Sequence, residues 1–191
     1  INDLLDLESD RNHPRKKNRP FASAKLPITL GLVVAPLLIG VSIALGTIVG
    51  SAFLVVLLLY LLLTVAYSLV LKRLVLVDCL TLATLYTVRI IAGAAVVSVS
   101  LSFWLLAFSV FLFLSLAFVK RYAELLVQTQ EGKSAANGRG YVVSDASLLQ
   151  TFGVSSGYIS ALVIVLYVLS EDVFSLYAQP IVILLMLPIL L

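Results

Sequence analysis

The sequence predicts an all-α fold, a polytopic bundle of membrane helices with six membrane segments. Three observations predict it. Of the 191 residues, 61% are hydrophobic and 12% are charged, and the mean hydropathy is +1.12. A soluble domain carries about 25% charged residues. The apolar residues fall into six runs, each long enough to span a bilayer or nearly so. Finally, Lys and Arg are confined almost entirely to alternate connections between those runs.

The elements follow in chain order. Residues 2 to 10 form a short acidic stretch, and a basic stretch runs from Arg11 to Lys25. The first membrane segment covers roughly 26–45. Pro27 suits its first turn, and Pro36 is expected to kink it at mid-span. Gly46 is read as a tight turn into the second segment, roughly 48–71. The third covers about 74–98, and Ser98 to Ser102 turn into the fourth, about 102–119. The fifth runs over about 147–169, with Asp145 to Ser147 as its N-cap region. The sixth, about 174–191, closes the chain. Short connections imply antiparallel hairpins. The chain opens inside a motif and closes inside an apolar run. The expectation is therefore a single domain over 1–191, truncated at both ends.

Charge sets the orientation. Arg11, Arg15, Lys16, Lys17, Arg19 and Lys25 precede the first segment. Lys72 and Arg73 separate the second and third, and Lys120, Arg121, Lys133 and Arg139 separate the fourth and fifth. That places 12 of the 13 cations on one side. The opposite connections hold none, and one carries Glu171 and Asp172. By the positive-inside rule the acidic stretch, Lys72 and the 120–146 loop are cytoplasmic. Phe103 and Trp104 fall at an outer aromatic belt. The net charge of +3 is thus read as topology, and no nucleic-acid partner is expected. The single cysteine, Cys79, lies in an apolar run, and the one histidine, His13, lies in the basic stretch. Neither a disulfide framework nor a Cys/His metal site follows.

Several residues can carry chemistry. On a helix, Asn2, Asp3, Asp6 and Asp10 fall within an arc of about 100°, with Glu8 nearly opposite. Carboxylates on one face are hard oxygen ligands suited to Mg²⁺, whose shell is completed by water and substrate phosphate. The alternative is a solvated acidic helix end. Asp78 and Arg89 lie inside the third segment, where charge is costly and faces a bundle interior or a wet cavity. Asp78 could instead pair with Lys72 or Arg73. Arg89, near mid-depth, is expected to face a polar cavity or a partner. Tyr67 and Lys72 end the second segment and offer a phenol and a compact cation for phosphate. They also fit an interfacial Tyr with a snorkelling Lys. The loop after the fourth segment begins Lys120-Arg121-Tyr122-Ala123-Glu124, in which Lys120 and Glu124 could pair. Gly138-Arg139-Gly140-Tyr141 could bring backbone amides to a phosphate or be a flexible loop.

Taken together, the chain resembles the UbiA superfamily of membrane transferases over essentially its whole length. The resemblance rests on N-D-x-x-D-x-x-x-D at Asn2, Asp3, Asp6 and Asp10, extended by H-P-x-K-x-x-R-P at His13, Pro14, Lys16, Arg19 and Pro20. It implies a larger bundle with a central cavity open to lipid, of which this chain covers the end of the second helix into the eighth. Two cytoplasmic acidic motifs of the family hold Mg²⁺ and a diphosphate. The second, expected after the fourth segment, is replaced here by Lys120-Arg121-Tyr122-Ala123-Glu124. With Tyr67, Lys72 and Asp78, that sequence is similar to the decaprenyl-phosphate phosphoribosyltransferase branch. The branch uses phosphoribosyl pyrophosphate and a polyprenyl phosphate. The roles implied are Mg²⁺–pyrophosphate binding by Asp3, Asp6 and Asp10, assisted by Asn2. Arg11, Lys16 and Arg19 would hold phosphate, Tyr67 and Lys72 would contact the donor, and Asp78 is a further substrate-binding candidate. Lys120, Arg121 and Glu124 would face the acceptor phosphate or the ribose hydroxyls.

The resemblance implies an enzyme of a bacterial inner membrane with its active-site face cytoplasmic. Its partners would be a polyprenyl lipid and a phosphorylated donor, and a homo-oligomer is left open. The first alternative is prenyl transfer from a polyprenyl diphosphate to an aromatic or other small acceptor. The second is a non-catalytic transporter or scaffold. A transporter concentrates key charge at mid-bilayer, often within inverted repeats. Here charge concentrates at one interface.

Overall fold

The computed structural model describes residues 2–12, 16–130, 140–177 and 179–190. His13, Lys133, Gly138 and Arg139 lie outside the described residues, as does the side chain of Asn2. The fold is all-α. Two short helices open the chain, α1 (Asn2–Leu5) and α2 (Leu7–Arg11), followed by a 3₁₀ turn at Lys16–Asn18. Five long helices follow: α3 (Ile28–Val49), α4 (Ser51–Leu69), α5 (Val77–Val97), α6 (Phe103–Gln130) and α7 (Ala146–Val168). Among the described residues these five are long and apolar enough to cross a membrane.

The expected sixth segment is not a continuous helix. It divides into α8 (Glu171–Leu176), a 3₁₀ stretch at Pro180–Met186 and α9 (Leu187–Leu190). Pro180 and Pro188 stand at the starts of the 3₁₀ stretch and of α9, and each disfavours continuation of the turn before it. A proline inside a helix removes a hydrogen bond and clashes with the preceding turn. Pro36, by contrast, is carried inside α3, which stays helical to Val49.

Gly46 is not the turn. It lies within α3, where a Cβ would meet Leu57 Cδ2 at 3.0 Å, so glycine there lets α4 pack closely. The reversal falls at Gly50, whose φ of +144° suits only glycine. The Ser98–Ser102 turn is found as expected, with Ser98 left-handed at the C-cap of α5. The largest correction is at α6. Lys120 to Gln130 continue the helix instead of opening a loop. Ala, Glu, Leu and Gln favour that extension, and its Leu125 is buried.

Consecutive long helices pack side by side, most extensively α6 with α7 and α5 with α6. The core gathers Cys79 of α5, Ala117, Phe118 and Leu125 of α6, Leu149 of α7, and Tyr141 from the connection before α7. It lies at the end of the bundle that also holds Lys72, Asp78 and Arg121. The opposite end is aromatic, with Trp104 6.1 Å from Tyr167 between ring centres.

Candidate active site

Polar groups from five parts of the chain meet at one end of the bundle. The first cluster forms where the acidic stretch folds against the basic one. Arg19 Nη1 donates to Asp3 Oδ1 at 3.0 Å and to Asp10 Oδ2 at 2.8 Å. Asp10 is buried. Asp6 does not join them. The helix breaks at Asp6, whose backbone leaves helical geometry between α1 and α2, so the single-helix register is lost. Its carboxylate instead pairs with Lys72 Nζ, across 66 residues. Among the described residues, no group of three or more His, Cys, Asp or Glu is gathered as a metal site. Glu8 is exposed.

The donor chemistry still suits Mg²⁺. Two carboxylate oxygens converge on a single cationic nitrogen, and Mg²⁺ takes one or two carboxylates plus substrate phosphate. Arg19 occupies the position between them. Arg11 donates through Nε to the Ala22 carbonyl at 3.4 Å, and Lys16 is half-buried.

The second cluster joins α4, α5 and α6. Asp78 is fully buried and pairs with neither Lys72 nor Arg73. Its Oδ2 accepts from Arg121 Nε, while its Oδ1 accepts from Arg121 Nη2 at 3.2 Å and from the Tyr67 hydroxyl at 2.7 Å. Arg121 Nη2 also lies 3.3 Å from the Tyr67 oxygen. On its other edge, Arg121 Nη1 donates to Glu124 Oε2 at 2.6 Å. A buried guanidinium needs such bidentate satisfaction, because an unpaired charge in low dielectric is very costly. Glu124 is the outward-facing member, with its side chain 35% exposed. It pairs with Arg121, not with Lys120, which is exposed. Arg121 and Asp78 therefore face each other, and Tyr67 and Glu124 form the margins of the cluster.

Two further side chains complete the picture: Tyr141, which the sequence marks only as the end of the Gly138–Tyr141 stretch, and Arg89, whose expected partner is Tyr60. The Tyr141 hydroxyl accepts from the Leu76 N–H at 3.1 Å, next to the entry of α5. The glycine before it was the available signal. Arg89 donates from Nη2 to the Tyr60 hydroxyl at 2.7 Å and lies over the rings of Tyr60 and Tyr86. A phenol inside an otherwise apolar run of α4 was the signal for that partner. Beside the first cluster, an apolar groove of about 470 Å³ runs along α3, lined by Asp3, Leu4, Phe21, Leu30 and Val34 among others.

Residues 1–191 match the UbiA prenyltransferase family. An uncharacterized protein of Sinorhizobium fredii, y4nM, is 35% identical over 181 residues, which is 94% of this chain and 35% of the relative. The nodulation protein NoeC of Azorhizobium caulinodans is 35% identical over 173 residues, 91% of this chain and 56% of the relative. A decaprenyl-phosphate phosphoribosyltransferase of Corynebacterium glutamicum is 34% identical over 134 residues, 69% of this chain and 40% of the relative. The chain thus spans about a third to just over half the length of these curated relatives. With five helices able to span a membrane and a family match along its whole length, this chain belongs to the UbiA prenyltransferase family and is an integral membrane protein.

Proposed function

We propose that the protein containing this chain is a Mg²⁺-dependent transferase that moves phosphoribose from phosphoribosyl pyrophosphate onto a polyprenyl phosphate, releasing pyrophosphate. The active site opens on the cytoplasmic face of a bacterial inner membrane. One observation carries the choice of donor. Where a second aspartate pair would hold a second metal, a single carboxylate, Glu124, is pinned by the buried Arg121–Asp78 pair. A fixed, half-exposed carboxylate beside a phenol is an acceptor for sugar hydroxyls, not a dimetal cage. The phosphoribosyltransferase relatives support the same reading.

In this mechanism Asp3 and Asp10, with Asp6 adjoining and Asn2 assisting, bind the Mg²⁺–pyrophosphate end of the donor. When bound, Mg²⁺ neutralises charge growing on the leaving pyrophosphate. Lys72, Arg11, Lys16 and Arg19 add fixed positive charge around the same phosphates. Glu124 and Tyr67 hold the ribose, with Asp78 and Arg121 fixing their positions. Lys120 meets the lipid phosphate. The bond from the anomeric carbon to the pyrophosphate oxygen breaks, and a bond to a lipid phosphate oxygen forms. The nucleophile is already anionic, so no proton has to be removed. The polyprenyl chain lies in the groove along α3, whose mouth is Asp3.

Prenyl transfer to a small acceptor is the second reading, because the same groove and the same carboxylates suit a prenyl diphosphate. The purified full-length protein distinguishes the two. Radiolabelled phosphoribosyl pyrophosphate with polyprenyl phosphate should move label into the lipid phase. Product only from polyprenyl diphosphate and an aromatic acceptor overturns the phosphoribosyl reading.

A further inference from the structure

The first acidic cluster carries its own cation. Arg19 bridges Asp3 and Asp10 through one nitrogen. Buried Asp10 requires a counter-charge, since an isolated buried carboxylate is strongly disfavoured. Yet Arg19 is not itself locked in. Its side chain is 39% exposed, while its backbone is anchored on both sides. The Arg19 N–H donates to the Lys16 carbonyl at 2.9 Å, and the Arg19 carbonyl accepts the Ser23 N–H and hydroxyl, each at 2.8 Å. The guanidinium can therefore swing about a fixed Cα. Carboxylate and phosphate present similar forks to it, so it can exchange one for the other. Lys72 differs: it pairs with Asp6, and its side chain is almost wholly enclosed.

We propose that Arg19 is an exchangeable counter-ion: it neutralises Asp3 and Asp10 in the metal-free protein, yields them to an arriving divalent cation, and then grips the diphosphate that comes with it. The inference rests on the reading of Asp3 and Asp10 as Mg²⁺ ligands. Asp10 keeps a cation beside it before and after the exchange. A metal arriving alone must displace Arg19 with nothing to receive it. A metal arriving with diphosphate gives the guanidinium a new partner. Metal and diphosphate thus favour each other through Arg19, a coupling that must be reciprocal.

The signature is a pair of opposite effects from one substitution. Mn²⁺ binding to purified full-length protein, followed by electron paramagnetic resonance, reports the metal directly. Without diphosphate, Arg19→Ala should bind Mn²⁺ roughly tenfold more tightly than the parent, about 1.4 kcal/mol. Inorganic pyrophosphate, titrated with Mn²⁺ saturating, should bind the variant roughly tenfold more weakly. Lys25→Ala removes an exposed cation from the same stretch and should show neither change. If Arg19→Ala does not fold, Arg19→Lys carries the test. Its ammonium keeps the charge but lacks the fork, and should tighten Mn²⁺ roughly threefold. Unchanged or weaker Mn²⁺ binding in these variants overturns the exchange. So does equal tightening in Lys25→Ala, which would make the effect one of net charge. The doubly substituted Asp3→Asn, Asp10→Asn protein separates the two layers. If it still binds Mn²⁺ like the parent, the metal assignment itself fails. If it loses Mn²⁺ while Arg19→Ala matches the parent, only the exchange fails.

Discussion

Tyr141 shows how one side chain fixes the entry to α5. Leu76 has φ +65°, and the Val77 N–H donates back to the Val75 carbonyl at 2.8 Å. That is a γ-turn of the positive-φ kind, rare and strained for a residue with a side chain. The Tyr141 hydroxyl accepts the Leu76 N–H and lies 3.5 Å from Cys79 Sγ. Gly140 makes the approach possible, because a Cβ there would run into the Arg73 carbonyl oxygen. Tyr141→Phe should therefore cost about 1–3 kcal/mol, the penalty for stranding a partly buried donor, read as a lower melting temperature in detergent. Burial, followed by the neighbouring thiol, pushes the Tyr141 phenol above its ordinary value. The folded state then keeps a proton that the unfolded chain releases above about pH 10. Stability from this group is present below that pH and declines as pH rises beyond it. The alkaline loss of stability should be shallower in Tyr141→Phe than in the parent, measured as melting temperature against pH.

At the scale of elements, α5 and α6 are joined by charge as well as packing. Asp78 and Arg121 are each almost completely enclosed, so removing one strands the other. Asp78→Leu alone or Arg121→Met alone should each cost about 3–5 kcal/mol. The double substitution should cost clearly less than the sum, since neither buried charge is left facing an apolar side chain, although Tyr67 and Glu124 each lose a contact to the pair. Additive losses in thermal unfolding would show that the pair does not couple the helices. The partner of Asp78 is not legible in the sequence. Asp78 was conspicuous as a charge inside an apolar run, but its partner lies 43 residues away on another helix. Spacing along one element carries no information about that distance. Asp6 failed for the opposite reason: helical spacing was extended through a residue at which the helix breaks. The long helices were legible because an apolar run of span length has only one way to satisfy its backbone in lipid. The end of α6 was not, because apolar run length stops at the membrane surface while helical hydrogen bonding continues past it.

For the whole molecule, the length of α6 and the distribution of charge point the same way. Its 28 residues extend about 42 Å, beyond a hydrocarbon core of about 30 Å. The apolar residues begin at Phe103, so the overhang is the C-terminal part, which carries Lys120, Arg121 and Glu124 into the interface. The polar clusters sit at that same end, joined to the acidic stretch through Lys72 and Asp6. The other end is a short turn at Ser98–Ser102, flanked by Phe103, Trp104 and Tyr167, as suits an outer aromatic belt. Basic connections are retained on the cytoplasmic side during insertion, so the whole polar end should face inward. Lys17 and Ser100 are both exposed and belong to opposite ends, which makes them suitable probes. Buried Cys79 provides little background. In intact cells, a membrane-impermeant thiol reagent should label Ser100→Cys and miss Lys17→Cys until the membrane is opened. Labelling of Lys17→Cys from outside, with Ser100→Cys protected, would invert the orientation and move the transferase chemistry to the outer face.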